Sequence, residues 1–216
     1  MKTKRQKPYI YVTWGTGLIS GDKHCYSSAW KRAQFQNIDS VKSDFDQASW
    51  IIDHSDMVSK KRVQLEKEGW NVTVEEQNKF ALEGNSGAVL SGKADIVAVK
   101  DGVGKVIDCK TGKPRTSDVV QVQTYIFALR RQDRFKGITL SGELNYRDHD
   151  LPIPAESVDK KFQMRLFVVL GVLTSDDEPK KTPSFLECRF CPISQTECPD
   201  RVMEDPDKPI VGSFDF

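Results

Sequence analysis

The sequence predicts an α/β protein in which a mixed β-sheet carries helices on its faces. Three observations predict it. Apolar residues recur at helical spacing in three stretches, alternate or run on in four others, and the order is helix, three strands, helix, strand, helix. A chain interleaved in this way buries the apolar stripe of each helix against a sheet face.

The elements follow in order. Residues 8–40 form an aromatic-rich N-terminal segment that contains Cys25. Asp44 or Ser43 can cap a helix running to about Lys67, with Gly69 as its stop. Its apolar positions are Phe45, Ala48, Ile51, Ile52, Val58 and Leu65. Residues 71–80 alternate in part and read as a strand. Residues 89–100 and 104–110 read as two more, joined at Asp101-Gly102, a favoured pair for a two-residue hairpin turn. Residues 118–131 form a helix with Val119, Val122, Ile126 and Leu129 on one face, and residues 138–146 alternate as a fourth strand. Residues 155–173 are the clearest helix, because Val158, Phe162, Leu166, Val169, Leu170 and Leu173 share one stripe. These elements define a core over 41–174. A Pro- and charge-rich link, 175–184, leads to a cysteine cluster at 185–199 and an acidic tail at 200–216 that reads as flexible.

Composition narrows the function classes. Thirty-two Lys and Arg against 31 Asp and Glu leave a net charge of +1, so any nucleic acid must be held by local basic charge. Three basic runs are present: Lys2, Lys4, Arg5 and Lys7; Lys60, Lys61 and Arg62; Arg130, Arg131, Arg134 and Lys136. Each by itself reads as a solvated face. The start lacks a signal-peptide apolar stretch, and no segment reaches the roughly 20 apolar residues of a membrane helix. A cytoplasmic protein without membrane contact is expected. Five cysteines in that reducing compartment point to metal ligation over disulfides.

The hairpin carries the chemistry. With a two-residue turn at Asp101-Gly102, Lys100 faces Val103 and Asp95 faces Asp108. Opposed Cβ atoms lie about 5 Å apart, and like charges there destabilise the pair unless a cation lies between them. A one-residue slip would send the two carboxylates to opposite faces. Lys110 shares the Asp108 face, and the Cys109 carbonyl between them can also ligate, while the Cys109 thiol turns to the core. Hard oxygen ligands suit Mg²⁺ or Mn²⁺, and a cation beside an ammonium suits phosphodiester hydrolysis. Gln121 and Tyr125, four apart on the next helix, can lay an amide and a phenol beside this spot. Glu75 and Glu76 could support the site, but a solvated strand end is the simpler reading.

Gly92-Lys-Ala-Asp95, then Ile107-Asp-Cys-Lys-Thr-Gly112, then Gln121-x-x-x-Tyr125 resembles the PD-(D/E)XK nuclease superfamily in its RecB-like branch. The resemblance covers about 45–130. It implies a restriction-endonuclease-like fold, with Asp95, Asp108, Lys110, Gln121 and Tyr125 as catalytic residues. It also implies a metal held by Asp95, Asp108 and the Cys109 carbonyl, with His54 as a further ligand on the preceding helix.

Cys188, Cys191 and Cys198 bring three thiols together, and Cys25 is the free choice for a fourth once Cys109 belongs to the core. Tetrahedral thiolates suit zinc or an iron–sulfur cluster. The split of one cysteine before the core and three after it resembles the iron–sulfur subgroup of RecB-like nucleases, which includes the CRISPR-associated adaptation nucleases and their phage-borne relatives. That resemblance implies a 4Fe–4S cluster stapling an N/C-terminal subdomain, with zinc as the lesser alternative. It implies a DNA exonuclease acting on single strands or ends, with protein partners in DNA integration or recombination. Trp14, Tyr26 and Trp30 are candidates for base stacking, although each alone reads as a core residue. The other readings are a nucleic-acid-binding adaptor on an inactive nuclease fold and a zinc-dependent interaction module. The terminal Gly212-Ser-Phe-Asp-Phe216 could dock a partner.

Overall fold

The computed structural model describes residues 2–42 and 44–206. The chain opens with β1 (Thr3–Lys4), β2 (Tyr9–Tyr11), α1 (Val12–Ser20), α2 (Ser27–Gln34) and a short β3 (Phe35–Gln36) that pairs with β1. Next come α3 (Gln47–Lys67), β4 (Asn71–Val74), a 3-10 turn (Glu75–Asn78), β5 (Lys79–Glu83), β6 (Val89–Lys93), β7 (Ile96–Lys100) and β8 (Val103–Lys110). α4 (Thr116–Leu129) leads to β9 (Thr139–Tyr146) and β10 (Asp150–Ile153), followed by α5 (Lys160–Thr174) and α6 (Phe185–Cys188).

The main sheet has the order β10-β9-β8-β7-β4, and the smaller one β2-β6-β5. Within the main sheet β8 and β9 are parallel and the other neighbours antiparallel, so α4 is the crossover that a parallel pair requires. Val106 and Leu140 face a large core with α1, α4 and α5. Ile96, Ala98, Ile107 and Cys109 face the other way, onto Val58 and Leu65 of α3. The alternation along β8 therefore puts Cys109 under α3 and leaves Asp108 and Lys110 toward α4. Asp101 and Gly102 both have positive φ, +48° and +79°, which closes the expected two-residue turn.

Two expected strands each divide between the two sheets. The stretch 71–80 breaks at Glu75–Asn78, and 89–100 breaks at Ala94 and Asp95. Alternation cannot reveal such a crossing, because the side-chain period survives it. The crossing is held by Asn78, fully buried, whose Nδ2 donates to the carbonyls of Thr73 (2.9 Å) and Ala94 (3.2 Å). Residues 8–40, read only as a segment, form a strand and two helices. Gly15 and Gly17 inside α1 weaken its helical signal. The α3 cap is Asp46, which accepts from Ser49 N at 3.1 Å, in place of Asp44, and Ser43 lies outside the described residues. The last long helix starts later than expected, at Lys160, where Asp159 accepts from Phe162 N at 2.7 Å. Among the described residues no helix is long and apolar enough to cross a membrane. Most of the expected tail and the terminal docking peptide lie outside the described residues.

Candidate active site

α3, the β7–β8 hairpin and α4 surround a cleft of about 620 Å³. The hairpin sets its centre. Ile96 pairs with Ile107, and carrying that register one step further places Asp95 opposite Asp108. Both are nearly buried, at 9% and 3% exposure. Burial, and then the charge of Asp95, push the Asp108 carboxyl up to about 7 against the pull of Lys110.

Each carboxylate has its own partners. Asp95 Oδ2 accepts from Cys109 N at 2.8 Å and lies 3.1 Å from His54 Nε2. Asp108 Oδ1 accepts from Gln121 Nε2 at 3.0 Å. Asp108 Oδ2 lies 2.7 Å from Lys110 Nζ in a buried ion pair, and a carboxylate oxygen with two lone pairs retains acceptor capacity beside it. Gln121 is the hub of the arrangement. Its Oε1 accepts from Lys110 Nζ at 2.9 Å, and its Nε2 also donates to Tyr125 Oη at 2.9 Å. Burial works against the Lys110 ammonium, but Asp108 outweighs it and raises the pKa. Burial, then Asp108, raises the Tyr125 hydroxyl well above its usual range. The Tyr125 ring stands edge-on to Phe80 at 5.9 Å.

His54 is stacked on Trp50 at 4.9 Å on α3. Its bond to Asp95 raises its pKa, with burial opposing. The Cys109 thiol packs in the core under α3, where burial pushes its pKa up and leaves it inert. On an extended strand the N–H and C=O of one residue point the same way, so the Cys109 carbonyl faces the Asp95 side. All five expected catalytic residues and His54 therefore reach one cleft.

Asp118 was missed in the sequence. Its Oδ1 lies 3.7 Å from Lys110 Nζ, and its Oδ2 accepts from Tyr146 Oη at 3.1 Å. Its position three residues before Gln121 on one helix was the available signal. Glu75 also lines the cleft, in a left-handed conformation at φ +41°, and its N–H donates to the Asp95 carbonyl at 2.9 Å. Glu76 instead joins Lys79 and Lys93 outside the cleft.

Four carboxylates thus face Lys110 and His54 at the centre, while Lys93, Lys113 and Arg115 stand around them. That donor chemistry fits a divalent cation within reach of a phosphate. Among the described residues no three His, Cys, Asp or Glu side chains are drawn into a set ready to hold one metal ion. At this centre Asp95 is engaged with His54 and Asp108 with Lys110.

Cys25, Cys188, Cys191 and Cys198 line a second cavity, of about 40 Å³, together with Lys23, Lys181 and Arg201. Burial raises the Cys198 thiol, with Lys181 opposing and Cys191 and Cys25 adding. Glu187 clamps the two chain ends here, accepting from the backbone N–H groups of His24 (2.9 Å) and Cys25 (3.1 Å). Of the aromatic candidates, Trp30 is buried and donates from Nε1 to the Ser175 carbonyl at 2.8 Å. Tyr26 and Trp14 are half-buried against the core.

The model of one protein family, the PD-(D/E)XK nuclease superfamily, matches residues 22–196. No curated protein matches the sequence. The chain is similar to a solved structure described as "Crystal structure of SSO0001", with 16% identity, a TM-score of 0.45, and coverage of 93% of this chain and 91% of that one.

Proposed function

Because this chain belongs to the PD-(D/E)XK nuclease superfamily, we propose that it is a divalent-metal-dependent nuclease that hydrolyses phosphodiester bonds of DNA at single strands or ends. The observation that carries this reading is the pair of nearly buried carboxylates, Asp95 and Asp108, set beside Lys110 and organised by Gln121. Asp95, Asp108 and the Cys109 carbonyl would hold Mg²⁺ or Mn²⁺, with His54 as the further ligand. Bound there, the cation supplies Lewis-acid polarisation of the phosphoryl oxygen and a lowered pKa for water.

The chain's own residues do the rest. Lys110 keeps its proton at neutral pH and places a positive charge against the scissile phosphate. Gln121 holds the Lys110 ammonium and the Asp108 carboxylate through the two ends of one amide, so neither must reorganise when charge develops. Tyr125, pinned by Phe80, holds the Gln121 amide in the orientation that gives its oxygen to Lys110. Asp118 balances the second side of the Lys110 ammonium.

The four cysteines around one cavity support a 4Fe–4S cluster, and hence the iron–sulfur subgroup with its roles in CRISPR adaptation or phage recombination. The cationic Lys23, Lys181 and Arg201 would offset thiolate charge.

The test uses end-labelled single- and double-stranded DNA with Mg²⁺ or Mn²⁺. Asp108→Ala and Lys110→Ala are each expected to lower cleavage by about 10²–10³-fold. Cleavage at the normal rate in both variants would remove the assigned site.

A further inference from the structure

One face of the smaller sheet forms a groove of about 600 Å³ that adjoins the catalytic cleft, sharing Thr13, Lys93 and Tyr125 with it. Register decides what this face carries. Tyr11 of β2 pairs with Ser91 of β6, and Ser91 with Ala81 of β5. One step along on the same face, Lys93 is paired with Lys79, and on the other side Tyr9 lies two residues from Tyr11. The small Ser91 and Ala81 side chains leave a trough beside the Tyr11 ring. The opposite face, with Ile10 and Leu90, is spent on the core.

The groove is lined for a particular occupant. Tyr11 is 45% exposed, although an aromatic on a sheet of this kind has a core available to it. Tyr9 and Tyr11 meet at 5.1 Å with their planes 59° apart, and Tyr11 meets the Trp14 ring edge-on at 4.8 Å. The rings form a row yet do not stack face to face. Trp14 is covered by the Arg32 guanidinium at 4.2 Å, whereas Arg5 stands farther off the Tyr9 ring, at 6.0 Å, so Tyr11 is the more open platform and Tyr9 the second. Lys79 and Lys93 stand side by side with one carboxylate, Glu76, between them, so this end of the groove is net positive.

We propose that this groove holds single-stranded nucleic acid leading into the cleft, with unpaired bases on Tyr11 and Tyr9 and phosphates at Lys79 and Lys93. The proposal rests on the nuclease reading of the cleft and adds the path of the substrate. The charge is complementary to a polyanion, and the path ends at the carboxylates that would process it. Inside a duplex both faces of a base are taken up by its stacked neighbours, so a base must be unstacked and unpaired to lie on a ring along the groove, which favours single strands over duplex.

The test measures binding of a fluorescent oligothymidylate to the full chain in EDTA, where no cleavage competes. Tyr11→Ala is expected to weaken binding by about tenfold, and Tyr9→Ala with Tyr11→Ala by more. Tyr11→Phe keeps the ring and is expected to restore binding. Lys79→Gln with Lys93→Gln is expected to lower the slope of log affinity against log salt by about two. An oligonucleotide carrying 5-iodouracil is expected to crosslink to the peptide that contains Tyr9 and Tyr11. Unchanged affinity in the double tyrosine variant would overturn the proposal, as would an equal loss on blunt duplex or a Tyr11→Phe variant as weak as Tyr11→Ala. Because binding is read without metal, it separates from the catalytic reading. If the tyrosine variants lose single-strand affinity while Asp108→Ala still cuts, the groove stands and the assigned catalytic site falls.

Discussion

Asp108 is a carboxylate whose charge is opposed by burial and by Asp95, and that has consequences for stability. In the metal-free protein it holds a proton up to about pH 7, whereas an unfolded Asp releases it near 3.9. Between those values the native state binds more protons, so stability falls as pH rises through that window. His54, raised by its bond to Asp95, adds in the same direction, since its favourable protonated form is lost as pH rises. Urea unfolding in EDTA is therefore expected to show a lower midpoint at pH 8 than at pH 5, and Asp108→Asn is expected to shrink that difference. A cation that binds the carboxylates at pH 8 should raise the midpoint again. Gly92 shows the same crowding sterically. A Cβ there would lie 2.6 Å from Phe80 Cζ and 2.9 Å from Tyr125 Cε1. Gly92→Ala is expected to displace the Tyr125 ring and lower cleavage by roughly 10- to 100-fold with little change in DNA affinity, read as kcat against KM. Asp95, Asp108, Lys110, Gln121 and Tyr125 were legible because hairpin and helix geometry bring them together from short-range spacing. Asn78 was not legible, because its partners at Thr73 and Ala94 belong to a sheet crossing that no local pattern encodes.

At the scale of elements, α3 is the one to watch. Of its 21 residues only Val58, Lys61 and Leu65 are buried, and partly buried Met57 packs beside them, so the helix that carries His54 has a narrow anchor. Lys61 read as part of a basic surface run, yet it is 5% exposed and paired with Glu143 at 2.5 Å and Asp150 at 2.7 Å. His54, Val58, Lys61 and Leu65 recur at helical spacing, so the anchor and the histidine of the cleft share one face. Lys61→Met leaves the buried Glu143 carboxylate with the longer Lys105 contact at 3.4 Å in place of its close cation, and is expected to cost about 3 kcal/mol in chemical denaturation. In the Arg130 run, Arg131, Arg134 and Lys136 are exposed as expected, and Arg130 departs from that reading. Arg130 donates to the carbonyls of Leu140 (2.7 Å) and Ala155 (2.8 Å), tying α4 to β9 and to the approach of α5. The roles of Lys61 and Arg130 are hidden in the sequence because their partners lie 10 to 89 residues away.

On the scale of the whole molecule, both ends of the described chain meet on one side. Lys2 pairs with Glu197 at 2.7 Å, Val41 N donates to the Pro192 carbonyl at 2.9 Å, and Glu187 holds His24 and Cys25. The cysteine cavity lies within this junction, so a cluster there would bridge segments more than 160 residues apart. Cys191→Ala, purified without oxygen, is expected to lose visible absorption and melt at a lower temperature than the wild type. Iron analysis that finds zinc instead would reverse the assignment of the cluster.

By itself the sequence determined the hairpin and its register, because Asp101-Gly102 permits the two positive φ values that a two-residue turn needs, and it determined the order of the motifs on that hairpin and the next helix. Only the tertiary structure decided that the strands divide between two sheets, that Lys61 is an anchor, and that Tyr9 and Tyr11 flank the cleft. Those outcomes depend on which distant backbone and charge each residue meets, and contacts between distant segments leave no period in the chain.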